Sequence, residues 1–268
     1  MTGKTPVALT IAGSDSGGGA GIQADLKTFA ALGVYGTSAI TAVTAQNTLG
    51  VRAVFNLPAA IATAQIDAIF EDFDVGAVKV GMLANLQIVE AVAGALRRYR
   101  PRFVVLDPVM IASSGDPLIA PEALSAMTAQ LFPLLDCLTP NLSEAAALLG
   151  RAVAGDEPAM IEQGRALLAL GPRAVLMKGG HLESAEAVDI LITQAGTRRY
   201  AGVRSASRNL HGTGCTLSAA IAAYITRGRG LEEAVGEAKA FVARAIEAGR
   251  VLALGSGPGP LWQGPSSA

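Results

Sequence analysis

The sequence predicts an α/β fold, a mostly parallel central sheet with helices on both faces, and three observations carry that prediction. Short apolar runs rich in β-formers alternate with longer segments whose apolar residues recur at helical spacing, the pattern of strand–helix–strand units. The composition is 51% hydrophobic with 31 glycines but only 4% aromatic, which suits helices packed closely on a sheet better than an aromatic-filled sandwich. At 268 residues the chain can bury a large core without staples. No internal repeat or long linker divides it, so residues 1–268 are expected to form one domain.

The first apolar run, residues 7–12, follows Lys4 and has the outline of a short signal peptide. It is at the lower limit of length for one, and Gly-rich sequence follows at once, so a buried first strand is the better reading. Further strand-like runs cover residues 35–45, 77–80, 103–106, 137–139, 174–177 and 187–192. Helical patterns cover residues 21–32, 59–70, 86–99, 121–131, 142–149 and 160–170. Gly33 stops the first helix, and Gly171 with Pro172 stops the one ending near Leu170, because glycine accepts the left-handed C-terminal position and proline cannot continue a helix. Two long helical patterns, residues 213–226 and 231–252, finish the fold. Residues 255–268, rich in Gly, Pro and Ser, are expected to be a flexible tail.

The formal net charge is −1 with basic residues scattered, so the electrostatic footprint of a nucleic-acid or anionic-membrane binder is missing. Only Cys137 and Cys215 are present, far apart and in no CxxC pair, which favours a reducing, cytoplasmic setting over a disulfide framework. No apolar run approaches the roughly 18 residues of a membrane span. A small-molecule partner is expected, and the Ala-rich helices are a place for a homodimer interface.

Ligands of open α/β sheets bind beyond the carboxyl ends of the strands, and the chemically suggestive residues do follow strands. GSDSGGGAGIQ, residues 13–23, is not a P-loop, since no Gly-Lys-Ser/Thr follows, nor GxGxxG, since Ile22 stands where the third glycine belongs. It is not a nucleophile elbow either, because Asp15 and not serine is central. A capped turn is one reading; the five glycines among residues 13–21 favour a close backbone approach to a ligand, beginning at Gly13. Asp25 suits the first turns of the next helix through the helix dipole alone. Gln46 offers a paired donor and acceptor for an amino-substituted nitrogen ring, although loop amides are common.

Asp107 ends an apolar strand, and Asn141 and Glu144 stand three apart at a helix start. Oxygen ligands spread over several loops suit Mg²⁺ held partly through water and phosphate; a helix capping arrangement is the competing account of Asn141 and Glu144. Lys178 directly follows a strand beside glycines, a position for a phosphate partner or for an exposed turn lysine. HGTGC, residues 211–215, sets Gly212, Thr213, Gly214 and Cys215 at a helix N-terminus, where successive N–H groups form an anion site. Cys137, Cys215, His181 and His211 have the wrong spacing for zinc. A Cys215–His211 nucleophile pair would make a cysteine hydrolase, the alternative from another class.

Taken together the motifs resemble the hydroxymethylpyrimidine/phosphomethylpyrimidine kinases of thiamine diphosphate biosynthesis, within the ribokinase-like superfamily. The resemblance rests on AGSDS with GGAGIQADLK, TAQNT, KVGML, LDPVM, SGD, TPNLSEA, MKGGH and HGTGCTLSA, in order from the first strand to about Leu252. It implies a ribokinase-like three-layer fold and an ATP- and Mg²⁺-dependent enzyme that phosphorylates a hydroxymethylpyrimidine and then its monophosphate. It places Asp25 and Gln46 on the aminopyrimidine, Met82 and Val109 on its faces, Asn141 and Glu144 with nearby Asp107 at the Mg-nucleotide, and Lys178 on nucleotide phosphate. Residues 212–215 become the anion hole and the catalytic position. Departures are local: Ser113 stands where relatives often have lysine, Thr44 where an aliphatic residue is common, and SASRN before Leu210 differs from the usual lead-in.

In the superfamily's sugar kinases the residue closing this loop is an aspartate that takes the proton from the attacking hydroxyl. Here it is Cys215, and a cysteine at a helix N-terminus near Mg-bound phosphate is expected to have a lowered pKa and to serve as the base. A monophosphate acceptor is already anionic and needs no base, so Cys215 is expected to matter for the first phosphorylation and not the second. A pyridoxal kinase of the same superfamily is the nearest alternative, and a binding protein without catalysis a more distant one.

Overall fold

In the computed structural model, which describes residues 4–110, 119–180, 182 and 186–264, the sheet grows in two directions from β1 (Val7–Asp15). On one side lie β2 (Tyr35–Asn47) and β3 (Gly50–Asn56). On the other lie β4 (Val75–Val80), β5 (Val104–Leu106), β6 (Cys137–Leu138), β7 (Ala174–Lys178), β8 (Glu186–Thr193) and β9 (Gly196–Val203). The spatial order is β3-β2-β1-β4-β5-β6-β7-β8-β9. The central pairings from β2 through β7 are parallel, and β3, β8 and β9 pair antiparallel at the two edges.

The helices are α1 (Gly21–Ala31), α2 (Ala59–Asp72), α3 (Leu86–Tyr99), α4 (Pro121–Gln130), α5 (Leu142–Leu149), α6 (Glu157–Leu168), α7 (Thr213–Thr226) and α8 (Leu231–Gly249). Successive strand residues face opposite sides. Leu9, Ile11, Val78, Val80, Val104 and Leu106 therefore pack with α2 to α6, while Ala8, Ala77, Val105 and Leu176 pack with α1, α7 and α8. Both faces of the central strands are covered, which is why those strands read as unbroken apolar runs.

The edges differ from expectation. β3 and β9 have no counterpart among the sequence-read strands, because both expose most of their residues and carry no apolar run to read. The stretch from residue 255 onward, expected to be flexible, is held as far as it is described. Leu261 and Gln263 are buried, the Gln263 Nε2 donates to Thr216 Oγ1 at 3.0 Å, and the Trp262 N–H donates to the Ala245 carbonyl at 3.0 Å. Its glycines serve close approach rather than mobility: a Cβ at Gly257 would fall on the Thr48 carbonyl oxygen. The alanines of α7 do not present a surface for a second copy. Residues 215–224 are all buried inside this chain, where small side chains let the helix sit between the sheet, α1 and α8.

From β1 the chain runs outward to β2 and β3, then returns to β4 on the other side of β1. The crevice at such a switch point, outside the carboxyl ends of the strands, is where open α/β sheets bind ligands. Ser113, the SGD motif and His181 lie outside the described residues.

Candidate active site

The loop after β1 is organised by Asp15. Its buried carboxylate accepts the Gly17 N–H on Oδ1 at 2.8 Å and the Gly19 and Ala20 N–H groups on Oδ2 at 3.0 and 2.9 Å. The His211 Nε2 lies 3.0 Å from the same Oδ2. Burial raises the Asp15 pKa, but the His211 and backbone hydrogen bonds outweigh it and leave the carboxyl below its ordinary value.

Around this loop, Met82 packs over Gly13, where a Cβ would meet its Sδ at 3.1 Å. The Met82 carbonyl is held by Thr41 Oγ1 at 2.8 Å. Opposite the step from Ala45 to Gln46, β3 carries one extra residue, Arg52, so the ladder bulges beside Gln46. The main chain of Gln46 is pinned to Ser16, and its Oε1 accepts from Thr44 Oγ1 at 3.2 Å. Val109 is half-buried in the turn after β5, its N–H on the Asp107 carbonyl at 2.8 Å.

A second group gathers at the ends of β5, β6 and β7. Lys178 Nζ is 2.6 Å from Asp107 Oδ1 and 3.8 Å from Glu144 Oε2. Burial alone would lower the Lys178 pKa, yet Asp107 and Glu144 raise it overall, so the ammonium is held charged. Glu144 is pushed up to about 7, chiefly by burial, with Lys178 pulling down and Asp107 pushing up. Asn141 and Glu144 form a complete capping box at the start of α5: Oδ1 accepts the Glu144 N–H at 2.8 Å, and Oε2 accepts the Asn141 N–H at 2.7 Å. The capping account of these two residues is therefore realised, and the box also fixes Glu144 beside Lys178.

The start of α7 completes the arrangement. Gly212 has φ of 88° and no side chain caps the helix, which leaves the N-terminus open to an anion. A Cβ at Gly214 would lie 3.1 Å from both Asp107 Oδ2 and Lys178 Nζ, so the glycine keeps clear the space between helix start and ammonium. Beneath the same strands lies a pair with no counterpart in the sequence reading. Lys79 Nζ meets Asp25 Oδ2 at 2.7 Å with both side chains 0% exposed, and Thr10 Oγ1 donates to the same oxygen at 2.6 Å.

The phosphomethylpyrimidine kinase family model matches residues 15–262. The chain belongs to that family. The hydroxymethylpyrimidine/phosphomethylpyrimidine kinase of Rhizobium meliloti (strain 1021) is 55% identical over 96% of this chain and 96% of its own length. A crystal structure of phosphomethylpyrimidine kinase from Clostridium difficile 630 superposes with a TM-score of 0.80 at 46% identity, covering 91% of this chain and 100% of that one. An ADP complex of pyridoxal kinase from Bacillus subtilis superposes with a TM-score of 0.90 at 36% identity, covering 97% of this chain and 98% of that one.

Within this kinase two expectations need correction. Cys215 is not primed as a thiolate: burial pushes its pKa up to about 11, with Asp25 and Asp107 adding to the rise and Lys79 only partly opposing it. The helix start was expected to dominate, but enclosure among carboxylates wins. Asp25 does not line an open pocket. It is fully enclosed, burial raises its pKa, and one carboxylate oxygen is committed to Lys79 and Thr10 while Oδ1 has no partner. The hydrolase alternative does not fit the family, and the His211 Nε2 faces Asp15. Lys79 and Asp15 are the residues the sequence reading missed as parts of the site. For Lys79 a signal existed, because a lysine between valines in a buried strand must find a partner; for Asp15 the partner is 196 residues away.

Proposed function

We propose that this kinase transfers the γ-phosphoryl group of ATP to the hydroxymethyl oxygen of 4-amino-5-hydroxymethyl-2-methylpyrimidine, and then a second one to the resulting monophosphate, acting in a reducing cytosol. The observation that carries this reading is the convergence of the uncapped α7 start, Lys178 and Asp107 on the space kept open by Gly214. A phosphoryl group in transfer needs positioning and charge stabilisation more than covalent help. Gln46, Met82, Val109 and Gly13 take the pyrimidine. The unpartnered Asp25 Oδ1 is the acceptor assigned to its exocyclic amine.

Lys178 and Asn141 hold nucleotide phosphate, and the N–H groups of residues 212–215 take the charge that develops on it. Among the described residues no three acid, Cys or His side chains converge as a metal cage. The two carboxylates of Asp107 and Glu144 instead suit Mg²⁺ bound partly through water and phosphate, which neutralises phosphate charge when present. In the first transfer the new P–O bond forms at the hydroxymethyl oxygen as the bond to ADP breaks, and the hydroxyl proton passes to the thiolate form of Cys215, a minor fraction at neutral pH with the thiol near 11. In the second the acceptor oxygen is already anionic and Cys215 has no proton to take.

Incubation of the protein with Mg-ATP and the hydroxymethylpyrimidine, with pyridoxal in parallel, tests the reading by product mass. Successive mono- and diphosphate of the pyrimidine is expected; phosphorylation of pyridoxal alone would reassign the acceptor. A homodimer is also proposed, now through the β2–β3 edge, where Phe55 is 65% exposed opposite the exposed Val43, and Val54 and Leu49 are exposed further along the hairpin; a monomeric mass in light scattering would refute it.

A further inference from the structure

We infer that the Asp15–His211 pair is a positioning clamp, which fixes the anion loop before α7 against the Gly-rich loop after β1 and so sets the distance between phosphate and acceptor. The inference rests on the kinase reading above, and it assigns a role to two residues that touch neither substrate in that reading.

Asp15 makes one rigid unit of its loop, since its two carboxylate oxygens gather three N–H groups and the Gly18 N–H returns to its carbonyl at 2.9 Å. The remaining contact, to His211 Nε2 at 3.0 Å, is the side-chain bond from that unit to the opposite loop. The seam between the loops leaves no slack. A Cβ at Gly212 would fall on the Gly19 carbonyl oxygen, and one at Gly19 would strike the His211 ring. His211 is also held from behind, where its N–H donates to the Gly259 carbonyl at 3.1 Å. Gly259 in turn is fixed by Asn209 Oδ1 at 3.1 Å, and the Asn209 Nδ2 grips the Gly249 and Leu252 carbonyls at 2.7 and 2.9 Å. Pressed between a buried carboxylate and this C-terminal strap, His211 cannot shift without moving Gly212, the first residue of the anion hole.

Misplacement of such a group by about 1 Å lowers turnover roughly 100-fold. The clamp acts on phosphate geometry, which both transfers share, so it predicts a signature different from that of Cys215. Replacing His211 by leucine (H211L) keeps bulk and removes the donor; H211Q restores a donor near the Nε2 position. H211L is expected to lower kcat roughly 10–100-fold in both transfers with little change in either KM, and H211Q to recover most of it. Asp15→Asn combined with H211L should lose far less than the sum of the single effects, because one contact is being removed twice.

Full activity of H211L, a loss confined to the first transfer, or H211Q no better than H211L would overturn the inference. If H211L fails to fold, Asp15→Asn and H211Q carry the same comparison. Amide hydrogen exchange separates this inference from the kinase reading. The amides of residues 213–215 should exchange faster in H211L than in wild type whatever the substrate, and unchanged exchange refutes the clamp. Wild-type protein that phosphorylates neither pyrimidine would refute the acceptor assignment alone.

Discussion

Two lysine–carboxylate groups stand under the same crevice and differ in depth. Lys178 joins Asp107 and Glu144 at the mouth and keeps 13% of its side chain exposed; Lys79 joins Asp25 a few strands away and both are sealed at 0%. The local chemistry is alike, an ammonium 2.6–2.7 Å from a carboxylate. An open pair can release its partner to an incoming phosphate, whereas a sealed one only fixes the charge of its surroundings. The lesson is that a buried lysine at the end of a strand is no sign of phosphate binding until its exposure is known.

The sharpest way to break that comparison is to remove one charge from each pair. Lys79→Met leaves Asp25 enclosed and unpaired, which costs about 3–5 kcal/mol of stability. Adding Asp25→Leu should restore stability to about the wild-type level or beyond, since a buried ion pair is replaceable by packed apolar groups. Denaturant titration of the three proteins checks it. A single variant as stable as wild type would mean that Asp25 is protonated at neutral pH and Lys79 is not needed to hold it.

Lys178→Met also leaves Asp107 without its ammonium and should cost some stability, but less than Lys79→Met because its pair is not fully sealed, and unlike that variant it should lower kcat in both transfers by roughly 10²–10³. Cys215→Ala should lower the first transfer by about 10² and leave the second within a small factor; equal loss of both steps would refute its role as proton acceptor. With the thiol near 11, the ratio of the first transfer to the second should rise about tenfold per pH unit above neutrality. Stability follows the same group. The fold favours the protonated thiol, so that contribution is complete below pH 9.0, the ordinary thiol value, and is lost as pH rises toward about 11. Melting of Cys215→Ala should lack this alkaline component.

What was legible in the sequence was whatever depends on near neighbours. The bounds of α3, α5 and α7 are as read, because caps, glycines and apolar spacing are local. The residues that follow strands do gather at one end of the sheet. The edge strands escaped because pairing with β2 and β8, not composition, defines them. The depth of Asp25 escaped because a carboxylate near a helix start reads the same whether solvent or Lys79 lies opposite. The C-terminal stretch escaped because Gly and Pro mark a tight fit as readily as a loose one; its Leu261, Trp262 and Gln263 were the counter-signal. The Cys215 pKa failed for the same reason as Asp25, since the helix terminus is local and the burial that overrides it is not.

The smallest effect tests whether the open group is more than architecture. Asn141 sits in a capping box with Glu144, and Asn141→Ala should cost about 1 kcal/mol through the lost cap alone. Asn141→Ser keeps a cap acceptor and should lose only a few tenths of that. If the Asn141 amide also binds nucleotide phosphate, the serine variant, though nearly as stable as wild type, will still show a several-fold higher KM for ATP. That is the expected result, because Asn141 bridges to Lys178 in the backbone pairing between their strand ends, which brings its amide to the phosphate side of the crevice. An unchanged KM in a stable serine variant would reduce Asn141 to the helix cap, and leave Lys178 with the open end of α7 as the phosphate contacts of the site.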